Sequence, residues 1–238
     1  MILTAQDTTM YGIDIYGGKL MLASLLKKIS RGSEIDGLQW IRLLYTHPAH
    51  FTDELISEIA GNEKILKYVD IPVQHTDDKV LKKMGRPFSK IIFSTIEKLR
   101  KKVPDIAFRT TVMVGFPGET EKSFSKLLND IKKLEFHRLG GFVYSQEKET
   151  ELMDNVLEII KKERLNEIME VQQKITFLKN KKRVGKIFEV LIDSGKYGNC
   201  EFQSPEIAGR VFFSPEQKAG ALIKMKILKV KNVYDLAA

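Results

Sequence analysis

Cysteine is all but missing: Cys200 is the one thiol in 238 residues. A single cysteine excludes an internal disulfide framework and fits a reducing compartment, so a cytoplasmic setting is expected. No apolar run comes near the ~20 residues that a membrane-crossing helix needs, and neither a secretory leader nor membrane contact is expected. Histidine is scarce, with four in all. His47 and His75 have no carboxylate or cysteine at ligand spacing, and no metal site is predicted from them. There is no low-complexity tract and no repeat beyond an alternation of strand and helix patterns.

What the chain does have is positive charge. Thirty-nine basic residues face 31 acidic ones, a net +8. Such a surplus suits a polyanionic partner or simply a solvated lysine face. Part of it gathers at Lys179, Lys181, Lys182, Arg183 and Lys186. These residues either contact a polyanion or complement the dipole at a helix end.

The organising stretch runs from Arg109 to Glu121. Residues 106–114 are β-branched or apolar apart from Arg109, Thr110 and Thr111, as in a strand covered on both faces. Gly115 and Gly118 bracket Phe116-Pro117, so a sharp turn is predicted there. Glu119, Thr120 and Glu121 then open a helix with Phe124, Leu127, Leu128, Ile131 and Leu134 on one face. Glycine in such a turn either serves geometry alone or lets a flat or anionic ligand approach the backbone.

Other strands are predicted at Ile2-Leu3, Trp40–Tyr45, Tyr68–Val73 and Leu139–Tyr144, with helices between them. This alternation predicts a parallel sheet, an α/β barrel or open barrel. Unusual polar residues fall where the strands end: Asp7-Thr8-Thr9, Thr46-His47, Gln74-His75, Gly115–Glu119 and Tyr144-Ser145. In such barrels those ends line one mouth. A long helix is predicted over 155–183, with Ile159, Ile160, Leu165, Ile168, Met169, Ile175 and Leu178 as its buried stripe. Beyond it the helical period vanishes. Ile187–Ile192, Cys200-Glu201-Phe202, Arg210–Phe213 and Leu222–Val230 are strand-like and predict a small all-β barrel, OB-like in kind. Two domains follow: 1–183, a partial barrel with its long helix, and 184–238, the small barrel.

The motifs together resemble a known family. Gln6-Asp7-Thr8-Thr9, Ile71-Pro72-Val73-Gln74-His75, the block from Arg109 through Thr120 and Phe142-Val143-Tyr144-Ser145 are similar to a radical S-adenosylmethionine (SAM) methylthiotransferase. Ser204-Pro205-Glu206-Ile207 and Tyr234-Asp235-Leu236 resemble that family's TRAM domain. Gln-Asp-Thr-Thr and Ile-Pro-Val-Gln-His resemble the branch that modifies a small-subunit ribosomal protein. The resemblance implies a partial TIM-like (β/α) radical SAM barrel followed by a TRAM barrel. It implies SAM and two 4Fe–4S clusters as cofactors, one cluster cleaving SAM to a radical and the other supplying sulfur. The implied target is an aspartate β-carbon of a small-subunit ribosomal protein; the alternative is an adenosine of tRNA, and a third reading is a cluster-free protein that docks on ribosomes or RNA.

For the SAM site the resemblance points to Gln74, Arg109, Val114, Gly115, Phe116, Gly118 and Tyr144. Val114-Gly115-Phe116 would wall an adenine, and Gln74 or Arg109 would meet the methionine carboxylate. Arg109 reads equally as an interior ion pair, Gln74 and His75 as strand-end hydrogen bonding, and Tyr144 as core. Glu119 is read as favouring the helix dipole, and Cys200 as a small buried apolar residue. Lys182, Arg183, Lys186 and Arg210 are the candidates for docking ribosomal RNA, tRNA or the protein partner. One departure is large: the family's Cys-x-x-x-Cys-x-x-Cys loop does not occur in this sequence, and one cysteine cannot hold a cluster. The sulfur-donor domain, the first strand and the cluster loop are therefore expected to lie outside this chain. No catalytic or metal-ligating residue is expected within it, and alone it is expected to be inactive.

Overall fold

The computed structural model describes residues 1–32, 37–146, 154–205 and 209–238. Five parallel strands form one sheet in sequence order: β1 (Ile2–Leu3), β2 (Ile41–Leu43), β3 (Ile65–Asp70), β4 (Ala107–Val114) and β5 (Arg138–Val143). Between them run α1 (Leu22–Arg31), α2 (Asp53–Gly61), α3 (Asp78–Lys83), α4 (Ser89–Lys102) and α5 (Glu121–Leu134). Parallel strands joined by helical crossovers place every strand's carboxyl end on one edge, and the result is a partial, TIM-like arc of βα units.

Period-two burial in β4 shows how the sheet is used. Phe108, Val112 and Val114 point into the core formed with the helices, alongside Ile92, Leu99, Phe124, Leu127 and Ile131. Arg109, Thr111 and Met113 lie on the other face and are only partly covered. The strand is therefore enclosed on one face and half-open on the other, rather than covered on both. Helix α5 starts as its sequence demands: the Thr120 side chain accepts from Ser123 N, Ser123 Oγ accepts from Thr120 N, and Phe124, Leu127, Leu128, Ile131 and Leu134 are all buried. Asp77 caps α3, accepting from Lys79 N and Val80 N. Pro72, which has no N–H to give, follows the end of β3 at Asp70.

The long helix α6 (Glu158–Lys181) corrects its expected stripe. Ile168 is buried and Leu165, Met169 and Ile175 pack against the core as expected, but Ile159 and Leu178 are exposed, and Lys161, Arg164, Gln172, Thr176 and Asn180 are buried in addition. This face lies across β5 and the chain ends beside it, where the neighbours are free carbonyls. Gln172 Nε2 donates to Phe136 O at 2.9 Å, Thr176 Oγ1 to His137 O at 3.2 Å and Asn180 Nδ2 to Val233 O at 2.9 Å. An apolar stripe would have left Phe136 O and Val233 O without these donors, while His137 O also accepts from Arg138 Nη1 at 2.9 Å.

The remaining strands form a second sheet in the order β10-β11-β8-β7-β6-β9, from β6 (Ile187–Ser194), β7 (Tyr197–Cys200), β8 (Val211–Phe212), β9 (Leu222–Lys226), β10 (Lys229–Val230) and β11 (Leu236–Ala237). Two expected strands are revised. The one at Cys200 starts earlier and ends there, because Gln203 turns the chain back by accepting Cys200 N at 3.0 Å. The last one breaks at Ile227 and Leu228, where Ile227 is buried and Leu228 exposed. The second sheet covers the open face of the first at its lower end: Leu66, Tyr68 and Ala107 share a core with Val190, Ile192, Cys200, Phe202 and Val211. Arg42 fastens this junction, with Nη1 donating to Glu201 O at 2.9 Å and its guanidinium 4.8 Å over the Tyr68 ring. The upper end of the open face, toward the strands' carboxyl ends, remains for a site. Glu206 and Ile207 of the Ser-Pro-Glu-Ile motif lie outside the described residues.

Candidate functional site

The rim begins at the end of β4. Gly115 and Gly118 take φ of +72° and +87°, a region where glycine is nearly obligatory. The turn they bracket is closed from inside by Glu119, whose carboxylate accepts from both Gly115 N and Phe116 N. Arg164 of α6 meets the same carboxylate at 3.3 Å and also reaches Glu121. Burial pushes the Glu119 carboxyl upward, and Arg164 with the two N–H donors pulls it back. Glu119 thus holds the turn rather than acting on the helix dipole alone.

Lys161 closes the turn from above. A Cβ on Gly115 would overlap its Cγ, and its Nζ donates to Tyr144 O at 3.1 Å and pairs with Asp154 and Glu158. Tyr144 stacks edge-on against Phe116 at 5.2 Å, with Val80 completing a small apolar cluster, and its hydroxyl has no partner among the described residues. Val114 sends its side chain into the helix-side core, and its carbonyl accepts from Tyr144 N at 2.8 Å. A Cβ on Gly118 would run into Lys83 Nζ, while Gly118 N donates to Asn155 Oδ1 at 3.0 Å.

At the end of β3, Gln74 holds φ at +64°, which is costly for a residue with a side chain. Its N–H donates to Thr111 O and its carbonyl accepts from Met113 N, both at 2.9 Å, so the bend is fixed by the neighbouring strand. Gln74 Oε1 is buried with no partner among the described residues. Arg109 lies deeper on the same face and pairs with the buried Asp70 at 2.7 Å. His75 is wholly buried, accepts Asp77 N on Nδ1 at 2.9 Å, and burial pushes it down to about 4.

The docking candidates divide in two. Lys182, Arg183 and Lys186 share a groove of about 420 Å³ with Lys67, Lys179 and Glu201. Arg183 lies 3.9 Å over the Phe202 ring, and burial first, then Arg138, lowers it to about 10. Arg210 is not in that groove: it lies 4.2 Å over Tyr197 and lines a separate cavity of about 570 Å³ with Phe212 and Tyr234.

Sequence reasoning missed Lys161 and Arg164, both of which look like ordinary surface cations on a charged helix. The signal was available only as their spacing from Ile168, one turn apart along the face that proves to be buried. His47 does not meet His75; it meets His50 and Asp7 instead.

The model of the radical SAM superfamily matches residues 2–131, more than half of the chain. The chain belongs to that superfamily. It is 43% identical, over 99% of its length, to the ribosomal protein uS12 methylthiotransferase RimO of Acetivibrio thermocellus. To the protein of the same name in Thermosipho africanus it is 47% identical, again over 99%. It spans 54% and 56% of those two proteins, about half the length of the curated relatives it matches. The solved radical SAM methyltransferase TsrM of Kitasatospora setae aligns with 60% of this chain and 25% of its own, at 19% identity and TM-score 0.46.

The superfamily's two cofactors can be tested against the residues present. For SAM the rim offers Gln74 Oε1 and the Tyr144 hydroxyl, two buried polar atoms with no partner among the described residues, and an apolar wall of Phe116 and Val80. Buried polar atoms are rarely left unpaired unless something else pairs them, so this part fits. An iron–sulfur cluster does not fit: Cys200 is fully buried in the second sheet, and burial pushes its thiol upward, away from the thiolate a cluster needs.

Proposed function

We propose that this chain is part of a methylthiotransferase acting on ribosomal protein uS12, at an aspartate β-carbon. One observation carries this reading: identity of 43–47% across 99% of the chain to proteins of that name. SAM binds at the rim formed by Gln74, Arg109, Val114, Gly115, Phe116, Gly118 and Tyr144. Gln74 Oε1 and the Tyr144 hydroxyl receive its polar groups, Phe116 walls its adenine, and Val114 and Gly115 contribute backbone only. The 4Fe–4S clusters of the whole enzyme are held by cysteines that these 238 residues do not contain. Residues 1–183 are the SAM-binding domain and 184–238 a TRAM-like barrel that docks the ribosomal partner in the cytoplasm. Lys182, Arg183, Lys186 and Arg210 then meet ribosomal RNA or the protein itself.

Two measurements test this. In titration calorimetry S-adenosylhomocysteine is expected to bind this chain, and Gly118→Trp to weaken it by about ten-fold or more, some 1.4 kcal/mol. Unchanged affinity removes the rim as the nucleoside site. Separately, the chain replaces the matching half of the Thermosipho africanus protein, and the cluster-loaded chimera is incubated with uS12 and SAM. Mass spectrometry should find one aspartate carrying a methylthio group in place of hydrogen. A chimera that binds its clusters and SAM yet modifies only tRNA assigns the chain to the tRNA branch.

A further inference from the structure

The loops after β1 and β2 bring together three ligand-bearing side chains that the SAM reading does not use. Asp7, His47 and His50 each present one donor atom, and the three atoms lie within 4.8 Å of one another. Asp7 Oδ2 is 2.6 Å from His50 Nδ1. The rings of His47 and His50 are 4.6 Å apart between centroids, inclined at 31°.

The carboxylate is held in place from behind. Its other oxygen, Oδ1, accepts from Thr9 N at 2.9 Å and from Thr9 Oγ1. Thr9 is fully buried, and its Oγ1 in turn accepts from His47 N at 3.1 Å. One residue therefore orients both the carboxylate and the backbone of one imidazole, the kind of supporting shell that metal ligands have. Asp7 and His50 keep 17% and 28% of their side-chain surface exposed, so an ion can reach them from solvent. His47 accepts only a long 3.4 Å contact from Ala49 N, which leaves its ring free to reorient.

We propose that Asp7, His47 and His50 bind one divalent transition-metal ion of the zinc class, through one carboxylate oxygen and one nitrogen of each ring. Two imidazoles and a carboxylate are borderline ligands suited to such an ion rather than to calcium or magnesium. Arms of about 2.0 Å on a tetrahedron set the donors roughly 3.3 Å apart. When the ion takes His50 Nδ1, the proton of the Asp7–His50 hydrogen bond moves to Nε2 of a neutral ring, or from an imidazolium to solvent. The fourth position stays open to water or to a carboxylate at the rim. Two loops some forty residues apart in sequence are then clamped together.

The test uses the chain free of any affinity tag and does not depend on the SAM reading. Co²⁺ titration should give one equivalent per chain with the visible absorption of a low-symmetry nitrogen–oxygen site, displaced by Zn²⁺. The chain has four histidines, so imidazole NMR resolves the site directly: the His47 and His50 signals should shift with Zn²⁺ while those of His75 and His137 stay. Asp7→Asn and His50→Gln should each weaken binding by about ten- to a hundred-fold, and Asp53→Asn, an exposed carboxylate elsewhere, should not. Absence of Co²⁺ binding by the unaltered chain overturns the proposal. So does unchanged affinity in folded His50→Gln, or zinc shifts confined to other residues.

Discussion

Lys161 Cγ occupies the space in which a Cβ on Gly115 would stand. The two residues belong to different elements, the β4 turn and α6, and each fixes the other. Gly115→Ala meets two costs: a left-handed φ that alanine resists by about 1–2 kcal/mol, and overpacking of roughly 1–3 kcal/mol against a buried side chain. A loss of about 3 kcal/mol in urea unfolding is expected. Adding Lys161→Ala should recover the overpacking share alone. A Gly115→Ala variant as stable as the parent would mean that the turn and the helix are not in contact.

Asn180 tests the polar face of α6. Its amide donates to Val233 O and Tyr234 O, tying the end of the helix to the loop before β11. Asn180→Leu matches the volume but leaves Val233 O without its donor, while Tyr234 O keeps Arg138 Nη2 at 3.1 Å, and should cost about 1–3 kcal/mol. Thermal unfolding measures it. If leucine stabilises the chain instead, the face behaves as the apolar stripe that periodicity suggested.

These two cases mark where the sequence was legible. The turn at Gly115–Gly118 and the start of α5 just after it follow from local chemistry and appear as expected, and the structure adds the Thr120–Ser123 capping box. The five parallel strands follow from alternation. The buried face of α6 followed only in part: Leu165, Ile168, Met169 and Ile175 pack as periodicity predicts, but the polar remainder meets carbonyls just before β5 and more than fifty positions later. Only tertiary structure shows that Gln172, Thr176 and Asn180 have acceptors waiting. The meeting of Asp7 with His50 was hidden for the same reason, since spacing along the chain does not report spacing across a rim.

Acid should weaken the fold through two histidines. His75 Nδ1 accepts Asp77 N–H and His137 Nδ1 accepts Phe108 N–H, so a proton on either would face a donor. Burial lowers them from 6.5 to about 4 and about 2. The unfolded chain takes up these protons near pH 6.5 and the folded chain does not. Their stabilisation is complete above pH 6.5 and drains away as the pH falls below it, by about 1.4 kcal/mol per pH unit for each histidine. Urea midpoints compared at pH 6.5 and 5.5 should fall accordingly, and His137→Gln should make the slope shallower. A flat profile would show that these rings are not buried.

Arg109 and Asp70 decide whether the arginine serves the fold or the ligand. Asp70 is 1% exposed, with Arg109 on one oxygen at 2.7 Å and Tyr45 N on the other at 3.2 Å. Arg109→Met leaves a buried carboxylate without its cation, which should cost about 3–5 kcal/mol. Arg109→Met with Asp70→Asn removes the charge while keeping an acceptor for Tyr45 N, and most of the stability should return. The same pair of variants reads the ligand role. If Arg109 also meets the methionine carboxylate of SAM, the stable double variant still binds S-adenosylhomocysteine about ten-fold more weakly than the parent. Full recovery of both stability and affinity would confine Arg109 to the ion pair and leave the Gln74 side-chain N–H to donate to the carboxylate.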